Sequence, residues 1–269
     1  MRKITINLAA VAAFCIVVAS PALVSSSCAT PKTEQEDTTI IREDSGITAL
    51  KYSSPEVPTS IEFCGKTIDL SRFDRHERMD RELLAFTYMH STSLQMLKKA
   101  NRYFPIVEPI LKENGIPDDF KYLMVIESNM NPTARSSAGA AGLWQFMQGT
   151  GRDYGLEVNN NVDERYHIEK ATRAACRYLK DAYAKYKDWV AVAASYNAGQ
   201  ARIASQLAKQ DVDDSLDLQL VEETARYVYR ILAAKQLFNA PTTFGFRLRA
   251  SDLYPPIPVS YTHLTLPTT

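Results

Sequence analysis

From Asp74 to about Phe238 the apolar residues of this chain recur at a period nearer four than two. A chain patterned in this way buries its apolar stripes helix against helix. The expectation is an all-α domain over residues 76–240. The first helix is expected from Asp80 to Asn101, with Leu83, Leu84, Phe86, Leu94 and Leu97 among its apolar positions, and Arg102-Tyr103-Phe104-Pro105 interrupting it. A second helix should run to Asn114 and close at Gly115, and a third from Asp118, a plausible cap, to Asn129. Later helices are expected at Gly142–Tyr154, His167–Tyr186, Trp189–Tyr196, Gly199–Lys209 and Glu222–Phe238. Ser60 to Leu70 is a short β-prone piece, and Thr242 to Pro258 reads as an extended arm or linker.

The two ends follow other rules. Met1-Arg2-Lys3 followed by the apolar run to Val24 reads as an export signal, residues 1–27, whose apolar core from Leu8 to Ala19 is short for a membrane span. Val24-Ser25-Ser26-Ser27-Cys28 resembles the lipobox of bacterial lipoproteins, with Cys28 as the lipidated residue; Ser25 departs from the usual aliphatic residue. Ordinary cleavage nearby would instead leave Cys28 as a spare thiol. Residues 28–75 are then a solvated tether, rich in Thr, Ser, Glu, Asp and Lys up to about Ser54, followed by the β-prone lead. Residues 259–269 have no core pattern and no charge and resemble a translated sequencing adapter, so the natural protein is expected to continue past Pro258. His263 then has no catalytic part.

Charge narrows the partners. Lysine plus arginine, 31, equals aspartate plus glutamate, 31, and the basic residues form no stripe, so no nucleic-acid partner is expected. His76, His90, His167 and His263 have no ligand spacing, and neither a metal nor a cofactor is expected. Cys64 and Cys176 could pair in an oxidising compartment, although Cys176 in an alanine-rich helix suits a small buried residue.

One acid stands where the core should be. Phe120, Leu123 and Met124 mark a helix face, and Glu127 falls on it seven, four and three residues later. Desolvation raises a carboxyl pKa, and a helix ending just beyond Glu127 raises it further through its dipole. A carboxyl protonated near neutral pH is a general acid. The alternative is a buried glutamate answered by an arginine or by nearby hydrogen-bond donors.

The residues that follow decide between the two. Glu127-Ser128, the spaced Ser136 and Gly142-Leu143-Trp144-Gln145 resemble the first motifs of family 1 lytic transglycosylases, with Trp144 in place of the usual methionine. Ser195-Tyr196-Asn197-Ala198-Gly199 resembles that family's third motif, and Glu223-Thr224-Ala225-Arg226-Tyr227-Val228 its fourth. The resemblance implies a lysozyme-like helical fold of the goose-type lysozyme and SLT kind. It also implies cleavage of the β-1,4 bond between N-acetylmuramic acid and N-acetylglucosamine, with 1,6-anhydromuramoyl ends, in peptidoglycan glycan strands. The protein would be exported and face the periplasm, held to the outer membrane through a lipid on Cys28. Glu127 carries over as acid and base, with Ser136, Gln145, Met147, Tyr196, Asn197, Glu223 and Tyr227 lining the site.

Each of these has a plainer reading. Ser136 could satisfy a turn or bond an N-acetyl group. Gln145, between two residues not easily left in water, should point into a cleft. Met147 could be packing, and Asn197 could form the turn before Gly199. Tyr196 needs a hydrogen-bond partner, for which Glu127 would serve. Glu223 and Tyr227 share a helix face, and Glu223 could instead pair with Arg226 or serve a helix start. Only one clear acid is supplied, whereas the usual glycosidase uses two. Assistance by the substrate's own N-acetyl group is therefore expected. A hydrolytic lysozyme of the same fold and a non-catalytic peptidoglycan-binding scaffold are the competing readings.

Overall fold

The computed structural model describes residues 54–257 apart from position 213. The export signal, Cys28, most of the tether and residues 259–269 lie outside the described residues. Eight helices and one two-stranded hairpin are described: β1 (Ser60–Phe63), β2 (Lys66–Asp69), α1 (Phe73–Tyr88), α2 (His90–Glu113), α3 (Phe120–Ser128), α4 (Gln148–Asp153), α5 (Ile168–Tyr186), α6 (Trp189–Ala198), α7 (Gln200–Lys209) and α8 (Glu222–Asn239). The helical expectation holds. None of these helices is long and apolar enough to cross a membrane.

The core is organised around α8, which packs against α1, α3 and α6. Tyr227, Val228, Tyr229, Ile231, Leu232, Ala233, Ala234 and Leu237 are all buried along it. Such all-round burial needs small partners, and α6 supplies them. Val190 to Ala194 are buried without a break, the signature of a helix enclosed on every side. Asp188 starts α6 by accepting the Val190 N–H at 3.0 Å. On α5 the alanines 171, 174, 175 and 182 and the buried Cys176 let α2 and α6 come close. Cys64 and Cys176 are both free thiols.

Four expectations are corrected. The first long helix breaks at Met89 rather than at Arg102–Pro105. Thr87 and Ser93 hydroxyls take the Leu83 and Phe86 carbonyls at 2.8 and 2.6 Å, satisfying the end of α1. Helix α2 instead runs through Pro105 and Pro109. Both prolines are exposed and four residues apart, so the carbonyls they leave unpaired lie on one outer stripe. The helix expected from Gly142 shrinks to Gln148–Asp153, because Gly142 and Gln145 take left-handed backbone at φ 78° and 47°. Asp118 is no cap for α3; its carboxylate takes the Lys121 ammonium.

The β-prone lead is part of the domain, not an appendage before residue 76. The hairpin pairs Ile61 with Ile68 and Phe63 with Lys66, and Phe63, Ile68 and Leu70 are fully buried. Its turn is tied to the helices through the Cys64 N–H, which donates to Asp119 Oδ2 at 2.7 Å, and Asp119 also holds Lys235 of α8 at 2.8 Å. Residues 241–257, within the expected arm or linker, pack on the helices. Phe244 and Phe246 are buried, and Tyr254 lies under Lys98 and Arg102 while its N–H donates to the Lys98 carbonyl at 3.0 Å.

Candidate active site

Helix α3 is buried over most of its length, from Phe120 to Ile126 save Lys121, and it stops one residue after Glu127. Asn129 and Met130 both take left-handed backbone, at φ 49° and 55°, turning the chain sharply away. Glu127 is thus delivered at the negative end of a buried helix, touching solvent at its rim and otherwise enclosed by protein. Its pKa rises from 4.5 to about 7. Desolvation is the largest cause; the Tyr227 hydrogen bond and the Arg230 guanidinium oppose it, and the Glu223 carboxylate adds to it.

Helix α8 faces this acid with three groups. Tyr227, itself buried, donates its phenol proton to Glu127 Oε1. One turn earlier Glu223 is exposed, and no ion pair among the described residues includes it. Glu223 does not pair with Arg226, which is taken by the buried Glu82 of α1 at 2.6 Å, but it does stand in the first turn of α8. Almost one turn later stands Arg230, whose guanidinium reaches the Ile126 carbonyl at 3.5 Å. Sequence reasoning did not identify Arg230. Its signal was the spacing 223, 227, 230, which places all three on one helical stripe.

Tyr196 is corrected. Its hydroxyl donates to the Trp144 carbonyl at 2.7 Å, so Tyr227 and not Tyr196 is the phenol bonded to Glu127. Tyr196 still lies near the acid, whose charge, after burial, helps to hold the phenol pKa far above its usual value. Trp144 and Phe146 are buried as expected, the indole donating to Thr172 Oγ1 at 2.9 Å.

The loop between α3 and α4 is built from side-chain bonds to its own backbone. Gln145 donates from its amide nitrogen to the Gly142 and Ala134 carbonyls at 2.7 and 3.2 Å, so this end braces the loop instead of pointing outward. Ser136 Oγ accepts the Ala140 N–H at 3.0 Å, which is the turn reading, while the exposed hydroxyl keeps its own proton. From outside the loop, Arg165 donates to the Gly139 and Phe146 carbonyls at 2.8 and 3.0 Å. Gly142 permits this closeness, since a Cβ there would lie 1.9 Å from the Arg165 carbonyl oxygen.

A cavity of about 290 Å³ is lined by Gln145, Phe146, Met147, Thr150, Tyr178, Tyr196, Asn197, Ala198 and Gly199. Four of the expected site residues, Gln145, Met147, Tyr196 and Asn197, thus meet in one hollow. Met147 stands 46% exposed at its edge, which sets packing aside as its role. Asn197 Oδ1 accepts the Thr224 hydroxyl at 2.9 Å and so joins this hollow to the start of α8. Among the described residues no group of three or more His, Cys, Asp or Glu is placed to hold a metal ion.

Residues 105–217 match the family model of the transglycosylase SLT domain. The chain is 30% identical over 181 residues to membrane-bound lytic murein transglycosylase D of Escherichia coli K12, a match covering 65% of this chain and 39% of that protein. It is 30% identical over 138 residues to the peptidoglycan transglycosylase gp16 of phage T7, covering 49% of this chain and 10% of the phage protein. An inactive mutant of the lytic transglycosylase Slt from Pseudomonas aeruginosa overlays at a TM-score of 0.44 with 21% identity, over 53% of this chain and 24% of that one. The chain therefore spans well under half the length of the curated relatives named here. Glu127, Gln145 and Tyr196 all lie inside the stretch that matches the transglycosylase SLT domain model.

Proposed function

We propose that the protein is a lytic transglycosylase that cleaves the β-1,4 bond between N-acetylmuramic acid and N-acetylglucosamine, leaving 1,6-anhydromuramoyl ends. The observation that carries this reading is the Glu127 carboxyl, which titrates near 7 beside a hollow lined by aromatic and amide side chains. Protonated Glu127 gives its proton to the glycosidic oxygen as the bond from the muramoyl anomeric carbon breaks, and the glucosamine leaves as an alcohol. The substrate's own N-acetyl group stabilises the positive charge at that carbon. Ionised Glu127 then takes the proton of the muramoyl 6-hydroxyl as its oxygen bonds to the anomeric carbon. The acid returns to its starting state and no water is consumed. Tyr227 and Arg230 steady the ionised form, and Glu223 favours reprotonation. Gln145, Met147, Tyr196 and Asn197 hold the sugar, and Ser136 offers its free proton to an N-acetyl carbonyl. The relatives' names suit an exported, membrane-associated protein, and lipidation of Cys28 supplies the anchor.

One observation favours hydrolysis as a second reading: Glu223 is a second carboxylate that Glu127 senses, and hydrolytic glycosidases use two. The general-acid assignment itself is tested by Glu127→Gln. The variant should fold and lose roughly 10⁴-fold or more in turnover on purified peptidoglycan, since each proton transfer is worth about 10²–10⁴-fold. Release of fragments within about tenfold of wild type would remove Glu127 from the chemistry.

A further inference from the structure

The aromatic hollow does not end at Ala198. That residue also lines a second cavity, of about 220 Å³, together with Arg202, Gln206, Gln219, Leu220, Val221 and Thr224. The Thr224–Asn197 hydrogen bond forms the partition between the two. Their chemistry differs. The first has Phe146, Tyr178 and Tyr196 and suits the flat apolar faces of a sugar. The second has no aromatic residue among its lining. It offers a guanidinium, two side-chain amides and the apolar Leu220 and Val221, of which Val221 is 59% exposed.

Arg202 is exposed and, among the described residues, has neither an ion-pair nor a hydrogen-bond partner. Of the acids nearest in sequence on the facing element, Glu222 pairs with Arg81 at 2.7 Å, and Glu223 forms no ion pair with Arg202. The wall that carries the amides is held in place. Gln210 donates to Gln206 Oε1 at 2.8 Å and to the Gln219 carbonyl at 3.2 Å, and accepts the Gln219 N–H at 2.7 Å. A fixed wall with an unanswered guanidinium is preorganised for an anion.

Resting on the transglycosylase reading above, we infer that this second cavity is a subsite for the stem peptide borne by the muramoyl sugar. Arg202 takes a stem carboxylate, Gln206 and Gln219 address the peptide bonds, and Leu220 and Val221 cover an aliphatic side chain. Arg202 is thus a specificity residue, and strands carrying stems are the preferred substrate.

The test compares kcat/KM on stem-bearing strands with kcat/KM on the same strands after an amidase has removed the stems. In Arg202→Ala that ratio should fall about tenfold, the worth of one charge-assisted hydrogen bond, and in Arg202→Lys by less. Thermal melting of each variant should match wild type, because Arg202 is exposed. An unchanged ratio, or a loss equal on both substrates, overturns the subsite while leaving the transglycosylase reading intact. A fall in the ratio alongside products that lack anhydro ends keeps the subsite and overturns that reading instead.

Discussion

At the scale of single residues, the site sets one carboxyl between opposing influences. Burial holds Glu127 protonated, and Tyr227 and Arg230 limit how far its pKa climbs. A phenol that donates to a carboxylate favours the charged form, so Tyr227→Phe should raise the Glu127 pKa further. Activity that needs protonated Glu127 would then persist to higher pH. The alkaline limb of the pH–rate profile should move upward while kcat falls about tenfold through loss of the bond that steadies the ionised state. A limb that stays in place or moves downward contradicts the role given to Tyr227. Stability carries the same signature. Between about pH 4.5 and 7 the unfolded chain has already released the Glu127 proton and the folded one has not, so wild-type stability falls as pH rises through that window. Glu127→Gln removes the titrating group. Urea titrations should find the variant more stable than wild type at pH 8, by roughly 1–3 kcal/mol, and nearly equal to it at pH 4. Equal stability at both pH values would mean that the carboxyl is not held protonated by the fold.

At the scale of elements, the site depends on a helix that ends early and a loop that closes tightly. The helix was legible in the sequence, because Phe120, Leu123, Met124 and Glu127 share a face by spacing alone. The loop was not. Gly142 and Gln145 take left-handed backbone because Arg165, twenty or more residues later, binds loop carbonyls, and local pattern carries no trace of so distant a partner. For the same reason the sequence does not reveal that Tyr196 bonds the Trp144 carbonyl: a buried phenol announces that it needs a partner without saying which one. The prolines of α2 are tolerated inside the helix on an exposed stripe, where the carbonyls they leave unpaired can reach water. Gly142→Ala tests the loop. Its new Cβ would meet the Arg165 carbonyl at 1.9 Å on a backbone at φ 78°, so unfolding free energy should drop by about 4 kcal/mol or more, read by denaturant titration. A change under about 1 kcal/mol would show that the loop yields easily.

At the scale of the whole molecule, the SLT match covers residues 105–217, yet all three groups that face Glu127 from α8, Glu223, Tyr227 and Arg230, lie beyond it. The body that positions them also draws on the hairpin at residues 60–69 and on α1, whose Glu82 locks Arg226 of α8. The catalytic reading is therefore a property of the assembled helices, with one acid at the centre and Glu223 as the neighbour that leaves hydrolysis open. Digestion of purified peptidoglycan in heavy-oxygen water separates the two chemistries directly by mass spectrometry. Intramolecular attack by the 6-hydroxyl predicts muramoyl ends one water lighter than the hydrolysed form and free of heavy oxygen. Reducing muramoyl ends that carry heavy oxygen would contradict the account and make Glu223 the second carboxylate of a hydrolase.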